Sequence, residues 1–87
     1  MLTLKQLRYV LALAETGHFG RAAERCHVTQ PALSQQIKLL EDACGTPLFD
    51  RLGKSVRATP FGREIIERAR DVRVLVSPKM VDEPTRG

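Results

Sequence analysis

Apolar side chains recur with a helical period in several separate stretches of this chain. Leu4, Leu7, Leu11 and Ala14 lie three or four residues apart and predict an amphipathic helix from about Thr3 to Thr16. Leu33, Ile37, Leu40 and Cys44 form a single stripe and predict a helix that opens after Thr29 and stops at Gly45. Phe61, Ile65, Ala69, Val72 and Val76 form a third stripe, widened by Ile66, on a helix over 59–76. Between the first two lies a shorter segment, about Arg21 to Cys26, where Ala22 and Ala23 are small enough for a neighbouring helix to approach closely. The boundaries carry their own signals. Thr3 and Thr29 are good N-caps, and Gly20 is acceptable as one. Pro31 and Pro60 suit a first helical turn, where a missing N–H costs little. Gly17 suits a left-handed C-terminal position, and Pro47 prevents the helix before Gly45 from resuming. Only around residues 49–58 does the period change. Phe49-Asp-Arg51 and Ser55-Val-Arg-Ala58 are short strand-like pieces flanking Leu52-Gly53-Lys54, a small hairpin with glycine at its turn.

The polar positions give this order of elements a purpose. Advancing about 100° per residue from Leu33 places Pro31, Gln35, Lys38 and Asp42 on the opposite side of the third helix, with Ser34 on the flank. That face begins with amide, hydroxyl and cationic groups and turns acidic only at its C-terminal end. Amides pair with adenine edges, and a lysine reaches guanine or phosphate. The second and third helices, joined by a tight turn in which Val28 is expected to be buried, have the layout of a helix-turn-helix. Thr29, Gln30 and Pro31, at the positive end of the helix dipole, would then meet DNA first. Arg51, Lys54 and Arg57 face a single acid, Asp50, in the hairpin, which suits a wing that grips phosphates or lies along the minor groove. The fold class is therefore mainly α: a winged helix-turn-helix with a small β-hairpin wing and a long C-terminal linker helix. That last helix, about 25 Å long at 1.5 Å per residue, exceeds what a three-helix core needs. Phe61, Ile65, Ile66, Ala69, Val72 and Val76 are the expected dimerisation stripe, its distal half buried against a partner helix, while Arg63, Glu64, Glu67, Arg68, Arg70 and Asp71 cover the rest. Three plainer readings stay open: a solvated polar helix face, ordinary surface charge on the hairpin, and a last helix that packs wholly on its own domain.

Composition narrows the choice of class. The chain has 87 residues, enough for one domain, and a formal net charge of +4. Residues 1–57 hold eight Lys/Arg against five Asp/Glu, so most of the excess lies on the proposed DNA-binding part. Expected boundaries are 1–58 for the winged helix-turn-helix, 59–76 for the linker helix and 77–87 for a disordered tail, the last because Ser77-Pro-Lys-Met-Val-Asp-Glu-Pro-Thr-Arg-Gly87 has two prolines and no apolar period. No secretory segment or membrane-length apolar run appears, which points to a cytoplasmic, nucleoid-associated protein. Cys26 and Cys44 lie on apolar helix faces and read as core; with His18 and His27 they match no zinc spacing. There is no phosphate-cradling glycine loop, metal cluster or nucleophile–base pattern, so neither an enzyme nor a cofactor is expected.

Several motifs in order carry a family resemblance. Leu4-Lys-Gln-Leu-Arg-Tyr9, Phe19-Gly-Arg-Ala-Ala-Glu24, Val28-Thr-Gln-Pro-Ala-Leu-Ser34, Gln36-Ile37, Leu40-Glu41, Pro47-Leu-Phe-Asp-Arg51 and Ala58-Thr-Pro-Phe-Gly62 together resemble the N-terminal DNA-binding domain of LysR-type transcriptional regulators, from about residue 2 to residue 76. The run Gly17-His-Phe-Gly20 is similar to the oxidant-response subgroup. The resemblance implies a homodimer through antiparallel linker helices, with two recognition helices reading the half-sites of an interrupted inverted repeat in double-stranded DNA. It implies base contacts by Gln30, Pro31, Ser34, Gln35 and Lys38, and wing contacts by Arg51, Lys54 and Arg57. Gln35 stands where many relatives have arginine, which implies adenine over guanine at that position. Gly20 stands where many have Ser or Thr. Relatives continue into an effector-binding domain that is absent from this chain; redox-sensing cysteines would belong there. From another class, the resemblance leaves room for an interaction module that pairs with a full-length regulator through the linker helix, and a non-specific DNA binder is a third possibility.

Overall fold

The structure, a computed structural model, describes the backbone of residues 3–81 and the side chains as far as Asp71. Its elements follow in the order α1 (Leu4–Thr16), α2 (Phe19–Cys26), α3 (Gln30–Cys44), β1 (Phe49–Leu52), β2 (Ser55–Ala58) and α4 (Pro60–Val81).

Helix α1 opens on a capping box. The Thr3 hydroxyl accepts from the Gln6 N–H at 3.1 Å, and Gln6 Oε1 accepts from the Thr3 N–H at 3.2 Å. The helix closes on Gly17 at φ 71°, a conformation that costs glycine little. Because α2, α3, α4 and β2 all pack on it, α1 is buried round most of its circumference rather than along one stripe, from Gln6 and Leu7 through Tyr9, Val10, Leu11, Ala12 and Leu13. Leu4, expected inside, is 67% exposed. It is the first residue of α1; Leu11, two turns on along the same side, is 4% exposed.

Helix α2 begins two residues before the expected Arg21. The Ala22 N–H bonds to the His18 carbonyl at 2.9 Å, so the ladder starts at His18, which is extended and makes no side-chain cap bond. Gly20 therefore lies in the first turn rather than at the cap. The helix ends at His27, whose left-handed φ of 59° turns the chain into α3. Val28 is half-buried against the core at this turn. In α3 the Thr29 hydroxyl accepts from the Ala32 N–H at 3.2 Å, and Pro31 falls in the first turn. Leu33, Ile37 and Leu40 are buried and Cys44 is half-buried, the stripe that the sequence predicts.

The wing is an antiparallel pair with Phe49 opposite Ala58, Asp50 opposite Arg57, Arg51 opposite Val56 and Leu52 opposite Ser55. Gly53, at φ 62°, makes the tight turn. A joint fastens wing, α3 and α4 together. Glu41 Oε2 accepts from the N–H groups of Leu48 and Phe49 at 2.7 and 3.1 Å. The Leu48 carbonyl accepts from the Thr59 N–H at 3.0 Å, and the Thr59 hydroxyl donates to the Pro47 carbonyl at 2.9 Å while accepting from the Gly62 N–H at 3.0 Å. Leu48 is fully buried at the centre of this joint.

Helix α4 packs on α1 and buries Ile66 and Ala69 in the protomer's own core. It continues to Val81, past the expected boundary at Val76 and through Pro78, so residues 77–81 of the expected tail are helical. The fixed φ of a proline is compatible with a helix, and its main cost is the missing donor to the carbonyl four residues earlier. The rest of that tail, 82–87, lies outside the described residues.

Two substitutions in the joint, and one outside it for comparison, have expected outcomes. A Cβ at Gly62 would overlap the Leu48 carbonyl oxygen, which is backbone and cannot swing aside, whereas one at Gly20 would rest 3.5 Å from Gln30 Oε1. Gly62→Ala should lower stability by about 1–3 kcal/mol, while Gly20→Ala should leave it level or raise it by up to about 1 kcal/mol, both read from denaturant unfolding. Glu41→Ala strips the acceptor from two N–H groups and should cost roughly 1.5–3 kcal/mol in the same assay.

Candidate nucleic-acid interface

The buried stripe of α3 settles which of its side chains reach solvent. With Leu33, Ile37 and Leu40 turned inward, Thr29, Gln30, Pro31, Gln35 and Lys38 are exposed and Ser34 is half-exposed on the flank. These residues form one continuous polar strip that starts at the helix N-terminus. Lys38 Nζ stands 3.9 Å from Asp42 Oδ1, with both side chains well exposed. Such a surface pair is worth little and leaves the ammonium available. Gln36 is taken up elsewhere: its Oε1 accepts from Gln6 Nε2 at 3.4 Å, linking α3 to α1.

The wing stands beside the start of α3, and its three cations do not act as one patch. Paired residues of an antiparallel ladder share a face, so Arg51 lies with Phe49, Val56 and Ala58 on the inner face. Arg57 lies on the outer face with Asp50 opposite and exposed Leu52 nearby. Lys54 is at the tip. The α1–α2 turn holds the hairpin. The Val56 N–H donates to the Gly17 carbonyl at 2.9 Å, and His18 Nδ1 lies 3.1 Å from the Lys54 carbonyl oxygen. The guanidinium of Arg51 lies over the Phe19 ring, 4.5 Å from its centroid. Between the wing and α3 runs an open cleft of about 240 Å³ bounded by His18, Phe19, Gln30, Arg51 and Lys54. The structure thus brings Gln30, Arg51 and Lys54 to one site and sets Arg57 apart.

The proposed pairing residues of α4 also divide. Ile66 and Ala69 are spent inside the protomer, Ile65 is half-buried, and Phe61 is 37% exposed. The side chains of Val72 and Val76 lie outside the described residues. Cys26 is buried and Cys44 half-buried, as core packing requires. Among the described residues, no three His, Cys, Asp or Glu side chains come together as a metal site would need, and no helix is long and apolar enough to cross a membrane. The sequence motifs include Phe19, His18 and Glu41 but assign them no contact at the site. A phenylalanine before Gly20 and a glutamate in a helix carry no local mark of a partner some thirty residues or a loop away.

Known proteins match this architecture. Residues 4–63 match the family model described as bacterial regulatory helix-turn-helix protein, lysR family. The HTH-type transcriptional regulator IlvR of Caulobacter vibrioides is 54% identical over 61 residues, which cover 70% of this chain and 21% of that protein. Full-length OxyR C199D from Pseudomonas aeruginosa is 42% identical and superposes with a TM-score of 0.83 over 100% of this chain and 30% of that one. The BenM DNA-binding domain, solved in complex with benA site 1 DNA, is 34% identical with a TM-score of 0.84, covering 98% of this chain and 94% of that one. The chain spans about a fifth to a third of the length of the curated relatives it matches. The matching relatives are transcriptional regulators, and no catalytic family is indicated. By sequence and by its four helices and hairpin wing, this chain belongs to the LysR family of bacterial regulatory helix-turn-helix proteins, with the winged helix-turn-helix fold of its DNA-binding domains.

Proposed function

We propose that this chain binds double-stranded DNA sequence-specifically to regulate transcription, as a cytoplasmic, nucleoid-associated homodimer on an interrupted inverted repeat. The observation that carries the reading is the polar strip of α3. It exposes Gln30, Pro31, Gln35 and Lys38 along one face, with the wing's Arg51 and Lys54 beside its N-terminus. An α-helix of this kind fits the major groove. Its amides find the N6 and N7 groups of adenine, and its lysine finds guanine or phosphate. Ser34, on the flank, would read bases with them, while Thr29 and the wing, including Arg57, would hold the backbone. The BenM domain, of nearly the same length and fold, is solved on DNA, which supports the reading. For the dimer, α4 at 22 residues is about 33 Å long. With Ile66 and Ala69 spent on the protomer's core, the partner would meet Phe61 and Ile65, with Val72 and Val76 continuing their sequence period.

Fluorescence anisotropy against an AT-rich interrupted inverted repeat and a scrambled duplex, at two salt concentrations, tests the reading. Tighter binding to the repeat by a factor of about 10³ or more, with steep salt dependence, is the expected result. Equal binding to both would leave a non-specific DNA binder, and no binding to either at low salt would favour an interaction module.

Three variants separate the roles. Gln35→Ala or Gln30→Ala should cost about 1–3 kcal/mol of binding and relax specificity at one base pair. Lys54→Ala should weaken all sequences alike and lower the slope of log affinity against log salt by about one. A Gln30→Ala protein that bound both duplexes unchanged would remove Gln30 from the reading face.

A further inference from the structure

We propose that Phe19 is a positioning residue for Arg51: its ring seats the wing's guanidinium beside Gln30 so that wing and recognition helix engage the same stretch of duplex. The inference rests on the DNA-binding reading above and adds a residue to it.

The observations are geometric. Phe19 opens α2 and is half-buried, packed against the hydrophobic core. The Arg51 guanidinium lies over its ring at 4.5 Å from the centroid. Arginine is a long, flexible side chain, and an exposed one has much rotamer freedom to lose when it binds an anion. A planar guanidinium stacked on an aromatic face has already lost part of that freedom, and its edge N–H donors stay free for phosphate or sugar oxygens. The ring does not stand alone. Two bonds from the same turn, Val56 N–H to the Gly17 carbonyl at 2.9 Å and His18 Nδ1 to the Lys54 carbonyl at 3.1 Å, fix the hairpin that carries Arg51. Gln30 reaches the same place from the other side, its Oε1 3.5 Å from where a side chain on Gly20 would begin. Phe19 is in the helix that precedes α3, so one rigid element sets both the reading helix and the arginine. Lys54 at the tip and Arg57 on the outer face have no such seat among the described contacts, so Arg51 is the wing cation whose position is defined before DNA arrives.

The test is a double-mutant cycle on the two duplexes named above, with thermal unfolding measured for every variant. Phe19→Leu keeps an apolar side chain and removes the aromatic face; Arg51→Ala removes the guest. Phe19→Leu should weaken binding about two- to fivefold with Arg51 present and have no further effect in the Arg51→Ala background. Phe19→Tyr, which keeps the ring, should bind like the parent. Arg51→Lys keeps the charge, leaves the core untouched and lacks the planar group, so it should show a loss similar to Phe19→Leu even if that variant proves unstable. An equal loss on Phe19→Leu in both backgrounds would make Phe19 a packing residue only and overturn the proposal. So would parental binding by both Phe19→Leu and Arg51→Lys. If the parent binds neither duplex at low salt, the DNA-binding reading fails and takes this inference with it.

Discussion

The fold hangs on the carboxylate of Glu41. It sits in the last turns of α3 and accepts two consecutive backbone N–H groups, from Leu48 and Phe49, just where the chain leaves the recognition helix for the wing. A charged acceptor satisfies these donors better than a neutral one would, and one of them belongs to a residue with no exposed surface. The next carbonyl along the chain's path, that of Leu48, receives Thr59, and Thr59 caps α4 while donating back to Pro47. Helix α3, the wing and α4 thus meet in one hydrogen-bonded joint. Gly62 lets α4 come close enough to make it.

The wing is held a second time, from the opposite side, by the turn between α1 and α2. Its strands are only four residues each, and an isolated two-stranded hairpin is marginal in water. The bonds from Gly17 and His18 and the seat on Phe19 give it a fixed place over the N-terminus of α3. The consequence for chemistry is a division of labour among charges that look alike in the sequence. Arg51 faces inward to the cleft, Lys54 projects from the tip, and Arg57 lies on the far face opposite Asp50.

What the sequence made legible was local. Thr3, Thr29, Gly17 and Gly45 end their helices where expected, because a cap is a contract between neighbours in the chain. The buried stripe of α3, and with it the exposed polar face, follows from the 3.6-residue period alone. What escaped was set by distant packing. Helix α2 starts at Phe19 rather than Arg21, and that ring packs on the core and carries the wing's arginine. A stripe on α4 says that Ile66 and Ala69 must be buried but not against what, and α1 claims both. Leu4 continues a perfect period and is still exposed, at the first residue of α1, while Leu11 two turns along the same side is buried. Glu41 and Gly62 belong to motifs that carry the family resemblance, but nothing local says what they touch; their roles exist only once residues 47–49 fold back across them.

The most direct test of the account is a backbone amide chemical-shift map of the chain titrated with the inverted-repeat duplex. The account predicts that the largest shifts fall on Gln30, Gln35 and Lys38 of α3 and on Arg51 and Lys54 of the wing, with Gly17 and His18 following as the wing's anchors. Shifts confined to α4, with the α3 face and the wing unmoved, would contradict it.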